Sequence, residues 1–424
     1  MVGAGAPPGQ RTGCHVCASS ASVREFLSLG VLPLGNAFIE PEAIPSEQEF
    51  PLAMGVCARC HLVQIVEPAP VAAIEKVYRN YSYVPTGATL AQHYGALAQE
   101  IVRVVQPRPG SLFVDIGSND GLLLRSIRER VGNARIGGVE PSTRISEIAR
   151  SQGVPTITGF FDSAVVEEVL ARFGRADVVS ATQVLQHIRD PVSLLGSVRR
   201  VMVPGGVLVL EGRAYFPDVA QKISFDTFYH ELLYCFTLHS LKNLLAQAGF
   251  TVFHAEHTDV YGGSLRVFAQ SRDGGSRPVR ASVQEILDAE VASGVTGFEA
   301  YARFAEQVEF VRLRLLRLVK EITEGGHSIA GYGAPSTGTT LLSYCRLGND
   351  VIDYIVDDNP LKQGLVTPGT HVPITSSSRL SSGPPDYVLI LAWRLQEEIL
   401  SRLAPLRSRI KGVIVPLPTP ELVP

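Results

Sequence analysis

Ser111-Leu112-Phe113-Val114-Asp115-Ile116-Gly117-Ser118-Asn119-Asp120-Gly121 decides how this chain folds. The stretch reads as a buried strand, then a glycine turn, then the start of a helix. Glycines at 117 and 121 let a ligand approach the backbone closely, and the helix that follows opens on N–H groups with no intrahelical acceptor. Two ligands suit such a turn, a dinucleotide and adenosyl-methionine. The full G-x-G-x-x-G pyrophosphate fingerprint is absent, because Gly117 and Gly121 stand alone. Downstream, Ile136 to Val139 reads as a second short strand ending in Glu140, placed to bind a ribose diol, which either nucleoside cofactor requires.

Strand and helix keep alternating through Ala176 to Ser180, then the turn Pro204-Gly205-Gly206 and the run Val207 to Glu211. A helix is expected over Leu90 to Val105. This pattern predicts a doubly wound parallel sheet with its ligands at the carboxyl ends of the strands. After Ser328 the alternation restarts, with strands expected at Ser328 to Gly331, Val351 to Val356, Tyr387 to Ala392 and Gly412 to Val415. A second Rossmann-like sheet follows. Between the two sheets, Tyr301, Phe304, Val308, Val311, Leu315, Leu318 and Ile322 recur at helical spacing and predict a long helix bracing the chain's own domains.

Composition bounds the function. The chain has 424 residues, 45% of them hydrophobic and 19% charged, with 38 Lys+Arg against 41 Asp+Glu for a net charge of -3. Such a balance builds sizeable cores and argues against disorder and against a nucleic-acid-coating surface. The apolar runs fall well short of the roughly 20 residues of a membrane-spanning helix. Met1 to Gly13 is Gly/Ala/Pro with one Arg and reads as a disordered start, not a signal peptide, so the expected location is the cytoplasm.

Four of the six cysteines fall in two C-x-x-C pairs, Cys14 with Cys17 and Cys57 with Cys60. Two such knuckles supply four sulfur ligands to a tetrahedral, structural zinc, although the gap between them is longer than in a short ribbon. Such an ion would supply folding energy that a segment of about 75 residues lacks. His15 and His61 read as bystanders, Cys235 and Cys345 as small buried hydrophobes. Expected domains are a zinc-binding lobe over 1–75, a cofactor-binding domain over 76–270, a helical connector over 271–325 and a Rossmann-like domain over 326–424.

The series DIGSNDG, VEPS, TGFFD, ATQVLQHIRDP and VPGGVLVLEG resembles class I adenosyl-methionine methyltransferases over roughly Ser111 to Phe268. That resemblance implies Asp115, Gly117 and Asn119 at the methionine end, with Asp120 and Gly121 in the same turn. It also implies Glu140 on the ribose, and Phe160, Phe161 and Asp162 around the adenine. With the cysteine knuckles, FYHELLYCF, YGGSLRV, IAGYGAPSTGTTLL and VDDNPLKQGLVTPGT, the whole chain resembles the nucleotide-deoxysugar C-methyltransferases of antibiotic biosynthesis. The resemblance implies an adenosyl-methionine-dependent methyl transfer, at C3, to a TDP-4-keto-deoxysugar held between the two Rossmann-like domains. It extends to dual-function members that also reduce the 4-keto group with NADPH.

Methylating a carbon beside a ketone needs a base and donors to an enolate oxygen. Candidates for this work are His187, Tyr229, His230, Glu231, Tyr81, Tyr83 and Tyr261. The family's Tyr-His-Glu-His motif ends here in Leu232, and Tyr261 stands where relatives carry a histidine, so two expected histidines are missing. Either His230 or His187 takes the base role, with Tyr83, Tyr229 or Tyr261 orienting the sugar, or the balance of activities has changed; the favoured expectation is a role shared by Tyr229, His230 and Glu231. Candidate substrate contacts are Arg266, Gly333, Ala334, Pro335, Ser336, Thr337, Asp357 and Lys362, the loop around Ala334 to Thr339 being an anion site at a helix start. Gly331, Gly333 and Gly338 form G-x-G-x-x-x-x-G, an imperfect dinucleotide fingerprint, with Asp357 and Asp358 after the next strand. Alternatives are a 4-ketoreductase that keeps this architecture and a non-enzymatic zinc-ribbon ligand sensor. The expected partner is a small molecule, with neither nucleic acid nor membrane, and the expected state a monomer or weak homo-oligomer.

Overall fold

The computed structural model describes residues 13–17, 23–79 and 88–423. Leu112–Ile116 lies at the centre of a seven-stranded sheet and is buried along its whole length. The strand order is Phe250–Thr258, Ser264–Ser271, Met202–Arg213, Ala176–Thr182, Leu112–Ile116, Arg135–Glu140 and Thr156–Thr158. Ser264–Ser271 runs antiparallel to both its neighbours, while the strands from Met202–Arg213 to Thr156–Thr158 pair in parallel. This is the class I methyltransferase sheet, with one reversed strand that the expectation of a parallel sheet omitted. Pro204-Gly205-Gly206 is also not a separating turn. Pairing passes from Ala176 with Met202 to Val178 with Val207, so the glycines form a bulge inside one long strand.

Helix starts are set locally, by side chains that accept from unpaired first-turn N–H groups. Ser142, Asp162 and Asp190 cap the helices Thr143–Ser151, Ser163–Arg172 and Pro191–Arg200.

The cysteine lobe carries an antiparallel sheet of Val23–Pro33, Glu49–Cys57 and Val63–Ile65, completed by Tyr234–Cys235 from the middle of the chain. The lobe is thus sewn to the methyltransferase through the segment that carries the FYHELLYCF motif. Helix Phe298–Glu324 buries Tyr301, Phe304, Val308, Val311, Leu315, Val319 and Ile322. Val319 takes the place expected for Leu318, because a straight helix of 3.6 residues per turn carries the stripe from Leu315 onward by four. Tyr301 stacks on Phe216 at 4.6 Å and lies 5.1 Å from Phe26, so the helix braces its own chain.

The last sheet has six strands, ordered Ile374–Thr375, Tyr354–Val356, Ile329–Tyr332, Tyr387–Ile390, Gly412–Val415 and Glu421–Val423, and the last is antiparallel. Asp226 ties it to the middle of the chain. Its fully buried carboxylate accepts from Trp393 Nε1 at 2.8 Å and from Arg394 Nη1 and Nη2 at 2.9 and 3.0 Å. Asp226→Ala should cost about 3–5 kcal/mol, the range for breaking a buried charge pair from one side, and lower the urea midpoint accordingly. An unchanged midpoint would show that this clamp does not hold the lobes together. Among the described residues, no helix is long and apolar enough to cross a membrane.

Candidate active site

At the tip of Leu112–Ile116 the chain turns left-handed at Gly117 (φ 69°), Asn119 (φ 48°) and Gly121 (φ 79°). A Cβ on Gly117 would stand 2.5 Å from a Val184 methyl, and one on Gly121 2.6 Å from Val154, so neither site admits a larger residue. Glu140 closes the turn, its Oε2 accepting from Asn119 N at 3.1 Å and its Oε1 from Ser142 N at 2.9 Å. Each oxygen keeps a second lone pair for a diol. Burial raises the Glu140 pKa above the usual carboxylate range, against those two N–H groups. Gly117, Asn119, Glu140, Phe160, Phe161 and Asp162 all face one cleft of about 3030 Å³. The turn that only glycine can make and the anchored acid beside it fit adenosyl-methionine.

Three expected cofactor residues, Asp115, Asp120 and Gly121, lie off that wall. Asp115 is buried beneath it, held at 2.6 Å by Ser180 Oγ, and its pKa is pushed up to about 7 by burial. Asp120 is engaged in its own helix start, accepting from Leu122 N at 3.2 Å and Arg125 Nη2 at 3.1 Å. Asp162 reaches the cleft, while its Oδ1 caps the next helix at 2.9 Å.

The four knuckle cysteines converge, with Sγ–Sγ distances of 3.5 Å for Cys14 and Cys60 and 3.6 Å for Cys17 and Cys57. All four sulfurs lie within 4.8 Å of one another. Sulfurs about 2.3 Å from a tetrahedral zinc stand about 3.8 Å apart, so this donor set fits the ion.

On the acceptor side, His187 sets its Nδ1 against the main-chain oxygen of Glu231, which leaves the lone pair on Nε2. Burial, then the nearby Arg213 guanidinium, lowers its pKa to about 4, so the ring is neutral at pH 7. Arg213 lies 5.4 Å over the Tyr229 ring, and its buried Nε has no hydrogen-bond partner among the described residues. His187, Arg213, Tyr229 and Tyr261 share the cleft with the cofactor turn. Across from them stands the start of helix Ser336–Cys345, which no side chain caps, with Ser336 and Thr337 on the cleft wall. Lys362, also on the cleft wall, gives its Nζ to Ala334 O at 2.6 Å, and burial lowers its pKa.

Three family models match the chain: a zinc binding domain over residues 14–74, a methyltransferase domain over 90–255 and a C-methyltransferase C-terminal domain over 259–418. The C-methyltransferase NovU of Streptomyces niveus is 33% identical over 415 residues, 97% of this chain and 96% of that protein. The chain belongs to the C-methyltransferase family. Adenosyl-methionine is the cofactor of its middle domain and zinc the ion of its cysteine lobe. The middle of the chain is also similar to a ubiquinone biosynthesis O-methyltransferase of Vibrio parahaemolyticus, 27% identical over 99 residues, 23% of this chain and 41% of that protein. A solved structure, the magnesium protoporphyrin IX methyltransferase of Synechocystis with bound SAH, covers 47% of this chain and 95% of its own at a TM-score of 0.35 and 15% identity.

In this C-methyltransferase several expected contacts also hold the fold together, and His230, Glu231 and Asp357 among them line the cleft as well. Arg266 is corrected: it is 4% exposed and paired at 2.6 Å with buried Glu211 inside the sheet, away from the cleft. The Glu231 carboxylate is taken by Gly35 N, Asn36 N and Asn36 Nδ2 at 3.2, 2.9 and 3.1 Å, which clamps the cysteine lobe. His230 is fully buried, gives Nε2 to Phe50 O at 3.0 Å, and burial lowers its pKa. Asp357 accepts from Ala334 N at 2.7 Å and from Asn359 N at 2.8 Å, one on each oxygen. Gly333, Ala334 and Pro335 line the cleft. Tyr81 and Tyr83 lie outside the described residues.

Two cleft residues went unnoticed in the sequence. Arg213 directly follows VLVLEG as the last residue of strand Met202–Arg213, and only its place at the strand's carboxyl end marks it. Tyr94, on helix Ala88–Val105, lines the cleft and hydrogen-bonds Thr182 and Tyr261; burial raises its pKa. In sequence it reads as one more apolar position on a helix face.

Proposed function

We propose that this enzyme methylates C3 of a TDP-linked 4-keto-deoxysugar, with His187 as the base. The observation that carries the reading is the meeting of a neutral, oriented imidazole and an unpartnered guanidinium N–H on one wall of the cofactor cleft. When bound, adenosyl-methionine supplies an electrophilic methyl carbon. His187 Nε2 takes the proton from the sugar carbon beside the ketone, and the Glu231 carbonyl holds the ring and steadies the imidazolium through Nδ1–H. Arg213 Nε–H and the Tyr229 hydroxyl meet the charge that develops on the ketone oxygen, inside a cleft where such donors count for more than in water. The enolate carbon is then free to attack the methyl group. Leu232, at the family's base position, is fully buried and off the cleft wall, which supports moving the role to His187.

The diphosphate would rest on the uncapped start of helix Ser336–Cys345, with Lys362 beside it, an arrangement favourable to anions without a lysine in the loop. Ketoreduction with NADPH fits less well. The acid at the strand end, Asp357, suits a ribose 2′-OH and not the 2′-phosphate that NADPH carries there.

His187→Ala should slow deuterium wash-in at the sugar carbon by about 10²–10⁴-fold, the usual worth of a positioned base, with AdoHcy affinity unchanged. His230→Ala serves as the comparison. Exchange at the normal rate in His187→Ala would remove His187 as the base. The pH profile gives a second reading. A base is competent only when unprotonated, so with a pKa of about 4 the rate should hold steady from pH 7 to about 5 and fall below. An ordinary imidazole would fail already near pH 6.5.

A further inference from the structure

We propose that Glu100, His254 and Glu256 form a second metal site, one for a divalent transition metal, outside the cleft and remote in sequence from the four cysteines. His254 and Glu256 are two apart on the edge strand Phe250–Thr258 and so share a face, and Glu100 meets them from helix Ala88–Val105. One ligand atom from each of the three lies within 4.8 Å of the other two. The His254 side chain is only 10% exposed, and its Nε2, like Glu256 Oε1, is buried with no hydrogen-bond partner among the described residues.

Spacing separates this cluster from an ordinary ion pair. Where a proton joins histidine to carboxylate in this chain, the two are close: His93 with Glu211 and His239 with Glu290 at 2.6 Å, His257 with Asp218 and His371 with Glu47 at 2.7 Å. His254 Nε2 instead stands almost equally far from two acids, 3.5 Å from Glu256 Oε1 and 3.6 Å from Glu100 Oε1. Another wide pair, His327 with Asp386 at 3.7 Å, has a cation between its members, the Lys411 ammonium at 2.9 Å from the ring and 3.2 Å from the carboxylate. Nitrogen and oxygen ligands about 2.0–2.2 Å from a tetrahedral ion stand about 3.3–3.6 Å apart, which is the spacing around His254.

The outer contacts suit a ligand set. Ser282 Oγ lies 2.7 Å from His254 Nδ1, and a proton there leaves the Nε2 lone pair facing the two acids. Phe268 stacks on the ring at 5.4 Å and fixes its plane. Two arginines compete for the carboxylates: Arg266 Nη1 is 3.4 Å from Glu256 Oε2, the oxygen turned away from His254, and Arg103, 60% exposed, holds both Glu100 oxygens, Oε1 toward His254 included, so it must swing off for an ion to enter. One imidazole and two carboxylates favour Zn²⁺ or Mn²⁺ over soft ions. An ion there would pin the helix that also carries His93 and Tyr94 to the edge of the sheet, as a brace for the cleft wall.

The full-length protein, zinc already on its cysteines, is dialysed against buffered micromolar Zn²⁺ and its metal measured by atomic emission. Two zinc ions per chain are expected, and a rise in melting temperature with the second. Glu100→Gln, His254→Gln and Glu256→Gln should each lose the second equivalent and the rise while keeping one zinc and normal AdoHcy binding, which shows that they fold. One zinc per chain in the unaltered protein would overturn the site. So would a second equivalent kept by all three variants, which would be an adventitious ion only.

Discussion

Glu140→Ala should weaken AdoHcy binding by about 100-fold or more, as measured by calorimetry. The carboxylate holds Asn119 N and Ser142 N and offers its remaining lone pairs to the ribose diol. Hydrogen bonds to a charged group contribute about 1.5–3 kcal/mol each, so losing two to the diol removes about 3 kcal/mol before the turn itself loosens. Glu140→Gln keeps one acceptor oxygen and should fall between. Binding within twofold of normal in Glu140→Ala would place the cofactor elsewhere.

Cys57→Ser should have the largest structural effect. The residue is fully buried at the end of Glu49–Cys57, and its sulfur completes the four-cysteine set. A structural zinc contributes an apparent 10–16 kcal/mol or so to small zinc domains, more than the lobe's short sheet can replace. Loss should spread to the acceptor side, because Ile65 N bonds Leu233 O at 3.0 Å, Leu233 N bonds Gln186 O at 2.9 Å, and Glu231 rests on Gly35 and Asn36. The variant should lack its zinc and its methyl transfer, yet still bind AdoHcy through the middle sheet. Full activity without zinc would show that the lobe is independent of the reaction.

What the sequence made legible follows from the range of the forces involved. Leu112 to Gly121 announces itself because a buried strand and two positive-φ glycines are local requirements, and the knuckles because two close thiolates need one ion. Tyr234–Cys235 could not be read, since a two-residue strand exists only through its pairing with Val63 and Gln64. Arg266 misled for the same reason. A lone arginine after YGGSL looks like a ligand contact until Glu211, 55 residues earlier in the chain, is found beside it. Glu231 and Asp357 looked like free acids at strand or loop ends, but backbone N–H groups brought from distant or neighbouring loops use them. Arg213, a cation on the cleft wall, carries no motif.

Methyl-labelled adenosyl-methionine, incubated with the enzyme and a TDP-4-keto-6-deoxy sugar, tests the central claim most directly. The account predicts that NMR of the product places the labelled methyl on the carbon adjacent to the ketone, replacing one hydrogen there. Label found on an oxygen, or no transfer by protein that binds AdoHcy and holds its zinc, would contradict it.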